Sequence, residues 1–242
     1  MGKILDNVVK KYGSISMAPG STGTFYYNKF FKKYNINAEY KAFSATLENF
    51  NDVLDNLIEC QYLGISISMP FKKKVIDYLQ TKNAHLTQDV LLYNSCNTVF
   101  IEKNKLLGYN SDLSGVKYIE KQIRGSVSIL GNGAIGQMFY QRFKDNFSTK
   151  IYSRSLNNWQ DRHEPRTIIV NCTPLGTISD ESPIDYIPKT TETIIDLAIK
   201  PSRLAQLAKN IKYIPGIIFY KYQFITQFKV YTGFEIKQNE FE

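Results

Sequence analysis

The apolar positions of this 242-residue chain fall into short runs whose period alternates between two and about 3.6, the spacings that separate a pleated strand from a helix. Tyr12–Met17 reads as a first strand, and Pro19-Gly20-Ser21-Thr22-Gly23 as a loop entering a helix near Thr24–Tyr34. Glu39–Phe43 is a second strand, followed by a helical stripe of Leu47, Phe50, Leu54, Leu57 and Ile58. Gly64–Met69 sets Ile65, Ile67 and Met69 against Ser66 and Ser68, which is strand period. Pro70 closes that strand, and Phe71, Val75, Ile76 and Leu79 begin another helix. Asn97–Glu102 and Lys105–Tyr109 flank Lys103-Asn104 as a hairpin, and Ser114–Ile123 predicts a connecting helix. From Ser126 the alternation restarts, with strands at Ser126–Leu130, Lys150–Ser153, Thr167–Asn171, Thr193–Asp196 and Ile211–Ile214. An apolar, aromatic helix over Ile217–Tyr231 closes the series before Gly233. Two successive strand–helix series predict an α/β chain of two domains joined near residues 113–124.

Composition narrows the class without changing that picture. With 43% apolar and 21% charged residues, each domain has the material for its own core. No apolar run approaches the roughly 18–20 residues of a membrane span. The opening Met1-Gly-Lys-Ile-Leu-Asp6 has no signal-peptide apolar segment. Cys60, Cys96 and Cys172 lie far apart, and His85 and His163 are the only histidines. That pattern offers no metal cluster and fits a reduced, cytoplasmic protein. The formal charge of +8 is spread over scattered lysines, with Lys72-Lys73-Lys74 the densest run. A nucleic-acid binder would show a longer basic stripe, so neither nucleic acid nor membrane is expected as a partner. A positive field also suits small polyanions, such as a phosphorylated cofactor with a carboxylate substrate.

Ser126–Leu130 runs into Gly131-Asn-Gly133-Ala-Ile-Gly136, and apolar residues at Ile135, Met138, Phe139 and Phe143 continue at helical spacing. Strand, G-x-G-x-x-G turn and helix in that order form the context of a dinucleotide site. Gly131 permits the tight turn, Gly133 lets backbone approach a pyrophosphate, and Gly136 lets helix and strand pack closely. The anion would face unpaired N–H groups at the helix N-terminus. An NAD site would place an acidic residue at the end of the next strand. Here that strand ends Ile151-Tyr152-Ser153-Arg154-Ser155, with no acid. Arg154 offers a planar fork for a 2′-phosphate, and Ser153 and Ser155 add hydroxyl donors, which favours NADP(H).

Hydride transfer to or from an alcohol needs a partner for the hydroxyl proton. Lys72 sits just past a strand end and Asp112 just past the hairpin, and strand carboxyl ends line the crevice of an α/β sheet.

Taken together, these residues resemble the shikimate dehydrogenase family along nearly the whole chain. Ser66-Ile-Ser68-Met-Pro-Phe-Lys72 is similar to the family's N-V-T-x-P-x-K, Ser95-Cys-Asn97-Thr98 to A-V-N-T, and Gly108-Tyr-Asn110-Ser-Asp112 to G-x-N-T-D. The glycine turn follows in place, then Ser153-Arg154-Ser155 for N-R-T and Asn171-Cys-Thr173-Pro-Leu-Gly176 for N-A-T-x-x-G. Gly216 and Gln223 fit the closing G-x-x-M-L-x-x-Q. The resemblance implies an N-terminal α/β substrate domain and a Rossmann-type NADP-binding domain, with the C-terminal helix returning to the substrate domain. In this chain those would be residues 1–113 with 217–242, and residues 114–216. It implies reversible reduction of 3-dehydroshikimate to shikimate in aromatic amino-acid biosynthesis, with Lys72 and Asp112 as the acid–base pair. Ser21, Ser68, Asn97 and Gln223 would bind substrate. Gly131, Asn132, Gly133, Ala134, Gly136, Ser153, Arg154, Ser155, Thr173 and Gly216 would bind NADP(H). A small cyclic hydroxy-acid is the expected partner, with the chain as monomer or homodimer.

Departures gather on the substrate side. The family's S-x-S-P stands here as Ser21-Thr22-Gly23-Thr24, its N-V-T asparagine as Ser66, and the tyrosine of D-x-x-Y-x-P as Ile199, within Asp196–Pro201. A site built around a hydroxyl discriminates strongly against its loss. Two alternatives therefore stay open: a related ring such as quinate or an aminoshikimate, and a non-catalytic nucleotide-binding regulator on the same fold.

Overall fold

The computed structural model describes residues 8–103, 105–176, 179–200 and 202–241. The expectations for Met1 to Asp6, Asn104 and Pro201 concern residues outside that description. The chain divides into two compact units: the described residues up to Asn110 with Gln227–Glu235, and Ser111–Thr226 with the residues from Ile236.

The first unit holds β1 (Lys10–Ser16), α1 (Thr22–Lys33), β2 (Ala38–Ser44), α2 (Phe50–Glu59), β3 (Tyr62–Ile67), α3 (Lys74–Thr81), β4 (His85–Leu86), α4 (Gln88–Tyr93), β5 (Thr98–Glu102) and β6 (Lys105–Tyr109). Its sheet runs β2-β1-β3-β5-β6-β4. β1 pairs parallel with β2 and β3, whereas β5 is antiparallel to both β3 and β6. The alternation of β3 separates two cores. Ile65 and Ile67 join Ile15, Phe50, Leu54, Phe71, Val75 and Leu79 in an aliphatic layer. Gly64 and Ser66 face an aromatic layer instead, where a side chain on Gly64 would meet the Tyr231 ring at 2.5 Å. Tyr27 stacks on Tyr40 at 4.1 Å and Tyr12 on Tyr231 at 5.3 Å.

Two boundaries differ from the pattern. Leu47 is 49% exposed, because α2 starts only after Asn49, whose side-chain oxygen accepts from Thr46 N at 2.7 Å while Thr46 Oγ1 accepts from Asn49 N. α3 likewise opens at Lys74, although Phe71 is fully buried one turn earlier and its carbonyl accepts from Val75 N.

The second unit opens with α5 (Asp112–Gln122) and continues through β7 (Val127–Leu130), α6 (Ala134–Phe143), β8 (Thr149–Tyr152), β9 (Ile168–Asn171), β10 (Thr193–Asp196), α7 (Arg203–Leu207) and β11 (Lys212–Pro215). Every pairing in its sheet, ordered β11-β10-β9-β7-β8, is parallel. β7, β9 and β10 are buried at all four residues, as expected for parallel strands covered on both faces. Two short 3-10 turns, Arg154–Leu156 and Trp159–His163, stand where a full helix would link β8 to β9.

The closing helix α8 (Gly216–Thr232) is shared by the two units. The expectation assigns all of residues 217–242 to the first domain, whereas packing divides the helix at Thr226. Phe219 lies against Gly115 and Phe139, Tyr222 stacks on Tyr118 at 3.7 Å, and Phe224 meets Phe241, all within the second unit. Gln227, Phe228 and Tyr231 complete the aromatic layer of the first. Among the described residues no helix is long and apolar enough to cross a membrane.

Candidate active site

In the second unit β7 is the strand from which the chain leaves in both directions, toward β8 on one side and β9 on the other. Ligands bind outside the carboxyl ends of such strands. A pocket of about 200 Å³ lies there, lined by Gly131, Ser153, Arg154, Trp159, Thr173, Pro174 and Leu175. Backbone bonds fix its floor: Gly131 N donates to Tyr152 O and Cys172 N to Leu130 O, each at 2.8 Å.

The three glycines of the turn do different work. Gly131 has φ +105° and lies against the Cys172 and Thr173 backbone, and a side chain on Gly136 would sit 2.0 Å from Gly131 O. Gly133 is the N-cap of α6 in extended backbone, φ −74°, with open space where a side chain would be. No contact among the described residues demands glycine there. Bare backbone at a helix N-terminus suits an approaching anion.

The rim is tied to the turn by side chains. Asn132 Nδ2 donates to Ser155 Oγ at 3.2 Å, the Ser153 and Ser155 hydroxyls share a bond of 2.9 Å, and Ser153 Oγ caps Leu156 N. Gln137 Nε2 donates to Asn132 Oδ1. Arg154 is exposed, and its guanidinium makes no hydrogen bond or ion pair among the described residues. The opposite wall is held by Asn171, whose Oδ1 accepts from Thr173 N and Oγ1 and whose Nδ2 donates to Asp196 at 2.9 Å. Buried Asp196 also accepts from Ala198 N, Tyr213 Oη and Ser202 Oγ. Burial and the adjoining Asp196 carboxylate push the Tyr213 hydroxyl well up from its usual range, so it stays a donor. Burial, helped by the Asp196 carboxylate, also pushes the Cys172 thiol up. A side chain on Gly216 would meet the Leu197 and Ala198 carbonyls at 2.5 and 2.6 Å, so it has no room there.

In the first unit the strand directions converge. β3 ends at Ile67, antiparallel β5 begins beside it, and β6 ends beside β5, so Ser66, Thr98 and Tyr109 form one row across the sheet. Ser68, Lys72, Asn97 and Asn110 leave the sheet from that same end. Cys96 N donates to Lys72 O at 2.9 Å, Ile67 N to Asn97 O at 2.8 Å, and Asn110 Nδ2 to Ser95 O at 2.8 Å. Asp112, buried, opens α5 two residues after Asn110. Ser21, exposed at the N-cap of α1, follows β1, whose carboxyl end lies at the same sheet edge, and Ser68 N donates to Ile15 O. Gln223 is buried on α8 and donates to Ser111 Oγ at 3.0 Å.

Two residues escape the sequence reading. Trp159, the only tryptophan, lines the nucleotide-side pocket with the Arg162 guanidinium 4.9 Å from its ring. Gln227 is 97% buried, because it is only 3% exposed, and it sits at the centre of a polar cluster within the aromatic layer. Its position four residues after Gln223, on the same helical face, is a signal available in the sequence. Among the described residues no group of three His, Cys, Asp or Glu side chains is placed to hold a metal ion.

This is a two-unit α/β protein whose second unit has the parallel sheet and glycine turn of dinucleotide-binding folds. Residues 18–99 match the family model for the shikimate dehydrogenase substrate binding domain. The chain is 28% identical over 210 residues to the shikimate dehydrogenase (NADP(+)) of Clostridium beijerinckii, covering 76% of each. A shikimate dehydrogenase 1 structure from Peptoclostridium difficile superposes with a TM-score of 0.85 at 19% identity, covering 96% of this chain and 95% of that one. The Thermus thermophilus shikimate 5-dehydrogenase in complex with NADP(H) and shikimate gives 0.80 at 18%, covering 96% and 97%. At such identities the structures speak for the fold. The family model over residues 18–99 and the sequence relatives both point to the shikimate dehydrogenase family, and the solved structures share this chain's fold.

Proposed function

We propose that the chain is an NADP-dependent oxidoreductase that interconverts 3-dehydroshikimate and shikimate. One observation carries the reading beyond kinship: the strand directions of the first unit bring Lys72, Asn97 and Asn110 to one end of one sheet. The second unit fits the cofactor by the bare backbone at Gly133 and the uncommitted guanidinium of Arg154. NADP(H), when bound, supplies or accepts the hydride. Gly131–Gly136 and the α6 N-terminus hold the pyrophosphate, Arg154 with Ser153 and Ser155 hold the 2′-phosphate, and Thr173 and Gly216 border the nucleotide. On the substrate side Lys72 and Asp112 form the acid–base pair that gives a proton to, or takes one from, the reacting oxygen. Ser21, Ser68, Asn97 and Gln223 orient the ring and its carboxylate. A basic chain of net charge +8 attracts both anionic ligands.

A second reading, a related cyclic hydroxy-acid, is favoured by Gly23 in the first turn of α1 and by Ile199, 38% exposed, where hydroxyl-bearing residues are expected. Nicotinamide absorbance decides between them. Purified protein with NADP is mixed in parallel with shikimate, quinate and aminoshikimate. Turnover of shikimate that disappears in Lys72→Ala establishes the first reading. Silence with shikimate and turnover of another ring establishes the second.

A further inference from the structure

The cluster around Gln227 imposes a proton order that reaches Asn97. Gln227 Oε1 accepts from Tyr27 Oη at 2.8 Å and from Ser66 Oγ at 3.0 Å. Its Nε2 donates to Asn97 O at 3.1 Å and to Thr98 Oγ1 at 2.6 Å. A backbone carbonyl can only accept, so the Asn97 oxygen fixes which end of the Gln227 amide is the NH2. That NH2 can only donate, so Thr98 Oγ1 is an acceptor toward it and must send its own proton elsewhere. It sends it to Asn97 Oδ1, at 2.8 Å. The far side of the cluster cannot reverse the order. Tyr40 donates to Ser66 Oγ at 2.8 Å, and burial pushes its hydroxyl up to about 12. Tyr231, 3.2 Å from Ser66 Oγ, is pushed well above the usual tyrosine range by the same burial. Both phenols therefore stay protonated at any working pH.

From this geometry we infer that Gln227 is a positioning residue acting through Thr98 to set the Asn97 amide, with its oxygen committed to Thr98 and its NH2 turned away from Thr98 as the donor. Resting on the reading of Asn97 as a substrate ligand, this assigns the substrate's atom at Asn97 the role of acceptor: a ring hydroxyl oxygen, a carbonyl or a carboxylate. The same cluster accounts for Ser66. Its hydroxyl is engaged by Tyr40, Gln227 and Tyr231, so the short side chain makes room for an amide contributed by α8, 161 residues later.

The test pairs Thr98→Val, which keeps the shape and removes the hydroxyl, with Thr98→Ser, which keeps the hydroxyl, and with Gln227→Met. Thr98→Val and Gln227→Met are each expected to raise KM for shikimate about tenfold, the usual scale for one buried hydrogen bond left unmade. The expected change in kcat is smaller, and NADPH affinity, read by quenching of Trp159 fluorescence, holds. Thr98→Ser recovers most of the loss, and the double variant is no worse than the weaker single. Equal losses in Thr98→Val and Thr98→Ser, multiplicative losses in the double, or a parallel fall in NADPH affinity would overturn the relay. A second measurement needs no turnover. In 15N-labelled protein the Asn97 side-chain NH2 pair, assigned by its disappearance in Asn97→Asp, should shift in both Thr98→Val and Gln227→Met and stay near its wild-type position in Thr98→Ser. An Asn97 pair that ignores Gln227→Met overturns the inference. Absence of shikimate turnover in the wild type, with those shifts present, overturns the functional reading alone.

Discussion

The pocket of the second unit and the polar cluster of the first solve the same problem, holding a few groups still, with different materials. Around Gly131–Gly136 the constraints are backbone against backbone: Gly136 faces Gly131 O, and Gly131 faces Cys172 and Thr173. The first of these is local to the turn, and the second comes from the residues that follow β9. Around Ser66 the constraints are side chain to side chain, and they span the chain, with Gln227 reaching Asn97 across 130 residues. A backbone cradle tolerates little variation in residue type, so it leaves a short, fixed motif. A side-chain cluster draws on donors and acceptors from several elements, as Ser66 on β3 and Gln227 on α8 show.

That contrast can be broken most severely at Lys72. Lys72→Ala is expected to lower kcat roughly a thousandfold, within the usual range for a lost proton-transfer group, while Trp159 fluorescence reports unchanged NADPH binding. Equal loss of both would mean that the substrate unit and the nucleotide pocket do not separate as described. Next in size is Gly136→Ala. Its new methyl would fall 2.0 Å from a carbonyl oxygen, and a loss of about 3 kcal/mol is expected by denaturant unfolding. Arg154→Ala should weaken NADP about tenfold or more and leave NAD nearly unchanged, since charge-assisted bonds to one phosphate are at stake; parallel titrations of the two nucleotides check it. Gly133→Ala should do what Gly136→Ala does not. In open, extended backbone the alanine is expected to raise stability by about 0.4–1 kcal/mol while weakening the nucleotide, seen as a higher melting temperature with a poorer dissociation constant. The smallest effect concerns His163. Burial lowers its imidazole below the usual range, helped by Arg162, and its Nε2 accepts from Asp185 N. The folded state thus prefers the neutral ring, and stability should fall as pH drops through about 6.5 toward the lower folded value. His163→Gln should flatten that slope in thermal melts taken across the range.

What the sequence made legible follows the same division. Strand and helix periods located every long element of both units, and the turn at 131–136 was legible because its glycines stand at the fixed spacing of a strand-to-helix turn. β4, α4 and α7 went unread because two to six residues carry too little periodicity to register. Leu47 misled because its spacing fits α2, while the Thr46–Asn49 cap that excludes it is a matter of side-chain oxygens. Trp159 gave no sign because 3-10 turns have no apolar stripe to place it. Gln227 shares a helical face with Gln223, but nothing local showed what that face meets, because its partners are contributed by α1, β3 and the start of β5.

The division of α8 between the two units also sets an order of events at the ribosome. The first unit is begun first yet stays incomplete until nearly all of the second has been made, because the Tyr12 hydroxyl waits for the carbonyl of Tyr231, 219 residues downstream. At ordinary elongation rates that interval is roughly ten to forty seconds. Through it the nascent sheet must carry an aromatic face with no cover of its own. The unit that resembles an independent N-terminal domain is in this respect the more dependent of the two, and its exposure to proteases and chaperones ends only when the last turns of α8 emerge.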